Sequence, residues 1–138
     1  MTIKQLSVFL ENKPGQLAGI MKTLAAADVN IVTLSLANAP EFGIVRMIAD
    51  DHVKGAAALA EAGFAVRETE VVAVTVPDRP GGMAELTAKL DRAGVDIEYS
   101  YAYSLGHADK AVLVFKFDDN AKAEAALKAY QASPSLSQ

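Results

Sequence analysis

The 138-residue sequence has no cysteine. That excludes disulfides, thiolate nucleophiles and zinc–sulfur sites. Histidine occurs only twice, at His52 and His107, and neither has a histidine at its counterpart in the repeat described below. Both fall in predicted turns or helix starts and read as solvated loop residues. Ser35 and Ser100 have no His–Asp arrangement to activate them, and no P-loop glycine pattern is present. No catalytic residue, metal site or cofactor is therefore expected. The sequence also lacks basic runs. Its net charge is −4, with −2 in residues 1–70 and −2 in residues 71–138, which argues against nucleic acid as a partner. The opening "MTIKQLSVFLENK" has no long apolar core of a secretory signal. No stretch approaches the ~20 apolar residues of a membrane span. The expectation is a soluble, cytoplasmic protein without a membrane partner.

What is present is apolar and repetitive. Hydrophobic residues make up 51% of the chain. The segment "ENKPGQLAGIMKTLAAADVNI", Glu11 to Ile31, returns 66 residues later as "PDRPGGMAELTAKLDRAGVDI", Pro77 to Ile97. Seven of 21 positions are identical, and Asn12/Asp78, Lys13/Arg79, Leu17/Met83, Ile20/Leu86 and Asn30/Asp96 keep their chemistry. A fixed-period repeat means a duplicated structural unit. Units of half this length are marginal alone, so module–module pairing or a homodimer is expected.

Periodicity supplies the elements. "IKQLSVFL" alternates as a strand, with Leu6, Val8 and Leu10 on one side. "ENKPG" is a stop and a tight turn. Leu17, Ile20, Met21 and Leu24 form a helical stripe that ends at Asp28. "NIVTLSLA" and "IVRMIAD" are strands around the turn "NAPEFG". "VKGAAALAEAG" is a helix closed by Gly63, and "FAVRETE" a last strand. The second copy begins with the strand "EVVAVTV". Its helix carries Met83, Leu86, Leu90 and Ala93, and Gly94 ends it. The strand "DIEYSYAYSL" follows, with Tyr99, Tyr101 and Tyr103 on one face, then the turn "GHADK", the strand "AVLVFKFDD" and the helix "AKAEAALKAYQA". Asp50-Asp51 and Asp118-Asp119 precede helices and read as caps. The expected fold is α+β: two ferredoxin-like βαββαβ modules, each an antiparallel sheet with both helices on one face. The modules span 1–70 and 71–132, and 133–138 form a disordered tail. The second module lacks a last strand, which leaves its first strand at an edge that needs cover.

The Pro-Gly turns between strand and helix carry the candidate chemistry. A helix N-terminus presents unpaired N–H groups and partial positive charge, a place for a carboxylate. Gly15 and Gly81 permit close approach, and Pro14 and Pro80 fix the bend. Asn12 and Asp78, with Asn30 and Asp96 at the start of the next strand, offer oxygens to an ammonium group. If turn and strand start lie together, a zwitterion fits. Asn and Asp are also ordinary turn and cap residues.

These residues, "LSVFLENKPGQLAGIMKTLAAADVNIVTLSLA", resemble the ACT domain, a small amino-acid-binding regulatory module. The resemblance covers both repeats and is greatest to stand-alone tandem ACT proteins. The first half is also similar to the small regulatory subunit of acetolactate synthase. The resemblance implies an amino-acid effector where the turn of one module faces another module. By position the ligand contacts fall on Asn12, Lys13, Pro14, Gly15, Gln16, Leu17, Asn30 and Ile31. The second set is Asp78, Arg79, Pro80, Gly81, Gly82, Met83, Asp96 and Ile97. Asp replaces Asn twice in the second set.

Three readings follow. The first is a non-catalytic amino-acid sensor with a regulatory, allosteric role. The second is a regulatory subunit of an amino-acid biosynthetic enzyme, with that enzyme as partner. The third is an acylphosphatase-type hydrolase on the same fold. It needs an arginine in a phosphate-cradling loop, and Arg79 is the only turn arginine. The tyrosine stripe reads as a packed or interfacial sheet face rather than a base-stacking platform.

Overall fold

A computed structural model describes residues 2–104 and 109–130. In chain order its elements are β1 (Thr2–Glu11), α1 (Gln16–Ala26), β2 (Ile31–Asn38), β3 (Phe42–Ala49), α2 (His52–Glu61), β4 (Ala65–Pro77), α3 (Gly82–Ala93), β5 (Ile97–Ser104), β6 (Lys110–Phe117), α4 (Asn120–Ala126) and a 3-10 turn (Lys128–Tyr130). The architecture is α+β, as the periodicity predicts. The chain divides into two compact units, Lys4–Thr69 and the residues from Glu70 onward together with Thr2 and Ile3.

In the first unit β3 pairs antiparallel with β1 on one side and β2 on the other. Alternation places Leu6, Val8 and Leu10 of β1 on the face that carries Val45 and Met47 of β3. Ile20 and Leu24 of α1 and Leu59 of α2 close that core. Both helices thus cover one face. On the other face Gln5 and Ser7 are buried polar residues. Gln5 Nε2 donates to Ser7 Oγ at 3.0 Å, and Ser7 Oγ lies 3.0 Å from Thr69 Oγ1. Buried polar groups persist when paired in this way. Leu34 and Leu36 sit opposite Met47 and Val45. They share the helix-covered face yet remain exposed, because β2 is an outer strand.

The second unit repeats the plan. β6 pairs antiparallel with β4 and β5. Val72, Val74, Val76, Leu113, Phe115 and Phe117 meet Leu86 and Leu90 of α3 and Ala123 and Leu127. Phe115 and Phe117 stack at 5.1 Å. Among the described residues no strand follows β6, as the repeat comparison predicts. Thr2 and Ile3, the first residues of β1, belong to this unit.

One expectation fails locally. The strands read at 64–70 and 70–76 are a single strand, β4. The stretch Arg67-Glu68-Thr69-Glu70 contains no turn former, so nothing interrupts extended backbone. The final helix ends at Ala126 rather than continuing to 132, with a 3-10 turn after it. Residues 131–132, the tail 133–138, His107 and most of the "GHADK" turn lie outside the described residues.

The helix ends follow the repeat. Gly94, with φ +70°, stops α3, and Val95 N donates to Leu90 O. Asp28, with φ +58°, occupies the same place after α1, where Val29 N donates to Leu24 O. Asp tolerates the left-handed region better than most residues.

Candidate functional site

Both Pro-Gly turns end in a glycine of the same left-handed form. Gly15 has φ +90° and ψ −11°, and Gly81 has φ +88° and ψ −11°. Each is the N-cap of its helix, and neither helix receives a side-chain cap bond. The other two helices do. Asp51 Oδ1 accepts from Lys54 N, and Asp119 Oδ1 accepts from Lys122 N, both at 3.0 Å, so these aspartates are caps as predicted. In α1 the first helical bond runs from Gly19 N to Gly15 O, so the N–H groups of Gln16, Leu17 and Ala18 precede the ladder. A Cβ at Gly15 would meet nothing within 4 Å. Glycine is needed there for its φ, not to clear space inside the protein.

A cavity of about 500 Å³ opens at the mouth of α1. It brings together Asn12, Lys13, Pro14, Gly15, Gln16 and Leu17 from the predicted set. It adds Leu10, Glu11, Ala18 and Asn38, which the sequence reading missed. Asn12 Nδ2 donates to Ala39 O at 2.7 Å and to Pro40 O at 3.2 Å. Its two donor hydrogens are thereby committed to the β2–β3 turn, and Oδ1 is left as the acceptor. Lys13 Nζ pairs with Glu11 Oε2 at 3.0 Å on the exposed rim. Gln16 Oε1 accepts from Glu11 N at 3.3 Å.

The second turn is furnished differently. Asp78 N donates to Asp109 O at 2.8 Å. Arg79 Nη2 reaches Glu85 Oε1 at 3.2 Å, and Nη1 donates to Pro80 O at 3.3 Å. A Cβ on Gly81 would lie 3.8 Å from Arg79 Nη1, so the guanidinium lies over the turn. Gly82 is buried, and a Cβ there would stand 2.4 Å from Pro77 O. This turn is tighter than the first, where Gln16 occupies the matching place. The Arg79–Glu85 pairing also engages the one turn arginine that a phosphate-cradling hydrolase loop requires.

The strand starts do not join the turns within a module. Glu11 pairs with Phe42 at one end of β3, and Ile31 pairs with Ala49 at the other. Eleven helical residues rising ~1.5 Å each carry the chain along α1 to that far end. Asn30 is held there by its backbone. Asn30 N donates to Asp50 Oδ1 at 3.0 Å, and Asp50 N donates to Asn30 O at 3.0 Å. Asp96 and Asp118 repeat the pair at 3.0 and 3.1 Å. In both modules the register shifts just after, between Ile31 and Thr33 and between Ile97 and Tyr99. Such bulges re-aim side chains. Asn30 and Asp96 are exposed.

Other candidates resolve plainly. His52 Nδ1 lies 2.6 Å from Glu68 Oε1, a surface contact rather than a freely solvated loop residue. Tyr99, Tyr101 and Tyr103 share one face, opposite Lys116, Val114 and Val112. Burial pushes the Tyr103 phenol above its ordinary range, and its hydroxyl is buried without a partner. Among the described residues no group of three or more His, Asp or Glu could hold a metal ion, and no helix is long and apolar enough to cross a membrane.

Comparison with known proteins bears on the fold. The chain is similar to a solved protein from Bacteroides thetaiotaomicron at 37% identity and TM-score 0.87, covering 94% of this chain and 88% of that one. It is similar in fold to the ligand-free regulatory subunit of aspartate kinase from Thermus thermophilus, at 17% identity and TM-score 0.64, covering 94% of each chain. The corresponding subunit from Thermus flavus gives 16% identity and TM-score 0.60, covering 94% and 92%. A search of curated proteins gave no match. The family model for the ACT domain pair matches residues 1–131. Matched over that span, and built of a repeated strand–helix–strand–strand–helix unit whose first helices start at an uncapped glycine, the chain belongs to the ACT domain pair family.

Proposed function

We propose that this chain is a non-catalytic, cytoplasmic sensor of small amino acids with a regulatory role in amino-acid metabolism. The observation that carries it is the uncapped start of α1, opening on a cavity of about 500 Å³ with Glu11 and Lys13 paired on its rim. A zwitterion matches that arrangement. Its carboxylate takes the free N–H groups of Gln16 and Leu17 beside Lys13, with Pro14 and Gly15 shaping the approach. Its ammonium donates to Asn12 Oδ1. Asn30 and Ile31, at the far end of the sheet, serve the site from a second copy of the chain, which makes a homodimer the functional form. Asp78, Arg79, Pro80, Gly81, Gly82 and Met83, with Asp96 and Ile97, form the corresponding second set, and it is the weaker one. Ligand binding then biases one arrangement of copies over another, which is the thermodynamic content of allostery.

A second reading makes the chain the regulatory subunit of an amino-acid biosynthetic enzyme. Its support is that proteins similar in fold are regulatory subunits of aspartate kinase. Co-purification of a catalytic subunit from cells separates the two readings. The sensor reading is tested by a thermal-shift screen of the twenty amino acids. A ligand at a hundred times its Kd stabilises by about 2.7 kcal/mol, a rise of several degrees for a chain of this size. A flat screen overturns it.

A further inference from the structure

The cavity at the first turn has a neighbour. A second cavity, of about 280 Å³, shares Leu10, Glu11 and Gln16 with it and is otherwise walled largely by Phe9, Phe42 and Phe64. Phe9 and Phe42 stand 6.4 Å apart in a tilted pair. Phe64 reaches α1, its ring tip 3.2 Å from where a Cβ on Gly19 would be. The two cavities meet at Gln16, whose side chain is held to Glu11 N by a long bond of 3.3 Å. Glu11 is the only ionisable residue lining the second cavity, and Lys13 already pairs with it. At about 30 Å³ per water, the space of about 280 Å³ has room for a phenyl ring with its methylene.

Building on the sensor reading, we propose that the first turn selects amino acids with an apolar side chain, aromatic or branched aliphatic. The zwitterionic head lies at the mouth of α1 and the side chain in the phenylalanine-walled cavity. A charged side chain there would lose water without gaining an unpaired partner. An alanine-sized one would leave the cavity unfilled. Among the described residues the second unit lacks the counterparts of Phe9 and Phe42. Register places Thr75 opposite Val112 as Phe9 is opposite Ile44, and Lys110 opposite Pro77 as Phe42 is opposite Glu11. The selectivity therefore belongs to the first turn alone.

Calorimetry on the full chain with phenylalanine, leucine, alanine, threonine, lysine and aspartate tests this. Phenylalanine and leucine should bind at least about tenfold more tightly than alanine, lysine or aspartate, in keeping with the discrimination an apolar pocket achieves. Phe64→Ala should narrow that gap. Phe64 also packs on the core, so Phe42→Ser, at a ring 49% exposed, supplies a variant whose folding is not at issue. Tightest binding of lysine, aspartate or threonine overturns the proposal and leaves the sensor reading standing. An unchanged preference in Phe42→Ser and Phe64→Ala does the same. Heat from none of the six, together with a flat thermal screen, overturns the sensor reading and this proposal together.

Discussion

Two glycines in matching turns are required for different physical reasons. Gly15 stands in open space at φ +90°, so an alanine there meets only the left-handed penalty of about 1–2 kcal/mol. Gly82 has an ordinary φ, but its Cβ would lie 2.4 Å from Pro77 O, a backbone atom that cannot swing aside. Gly82→Ala must move the start of α3 and should cost about 3 kcal/mol or more. Denaturant midpoints of the two variants decide it. Equal losses would mean that the close approach at Pro77 relaxes freely. Asn12 belongs to the same scale. Its amide hydrogens tie the turn to Ala39 and Pro40, and its oxygen is aimed by that tie. Asn12→Asp places a carboxylate against two carbonyls and should weaken ligand binding despite keeping an oxygen acceptor.

The helices differ in what their first turns hold. α2 and α4 are capped by aspartate, while α1 and α3 are not. α3 nonetheless carries Glu85 in its first turn, which already complements the positive end of the helix. It would repel a ligand carboxylate, and Arg79 is already paired with it. The matching place in α1 is Gly19. Binding should therefore show about one ligand per chain by calorimetry, with all heat lost in Gly15→Val and retained in Gly81→Val. Two equivalent sites would contradict this. Much of this level was legible in the sequence. The 66-residue repeat paired α1 with α3, apolar periodicity located α2 and α4, and the capping aspartates fell where Asp50-Asp51 and Asp118-Asp119 stood. What was missed was a consequence of topology. Because β1 runs antiparallel to β3, the end of β1 meets the β2–β3 hairpin, so Asn38 joins the turn and Asn30 cannot. Residue spacing carries no sign of this until strand order is fixed. Glu11 and the three phenylalanines escaped for a related reason: they come together from β1, β3 and the loop before β4, with no shared motif to mark them.

At the level of the whole molecule, the separation of Asn12 from Asn30 sets a stringent requirement. Within one module they lie at opposite ends of β3, so no single module can bring both to one ligand. If the ligand is bound by the turn of one copy and the strand start of another, Asn12→Ala and Asn30→Ala should weaken binding alike, each about tenfold, while leaving the melting temperature of the free protein nearly unchanged. The decisive measurement mixes the two variants in equal amounts after dissociation and reassociation. Half of the dimers then pair one variant with the other. In each, one site has both defects and the other has neither, so roughly a quarter of all sites should recover full affinity, as two-fold symmetry requires. Calorimetric titration resolves that tight fraction from the weak background. No recovery on mixing, with Asn30→Ala binding as the unaltered chain does, would confine the site to the first turn and remove the second copy from it.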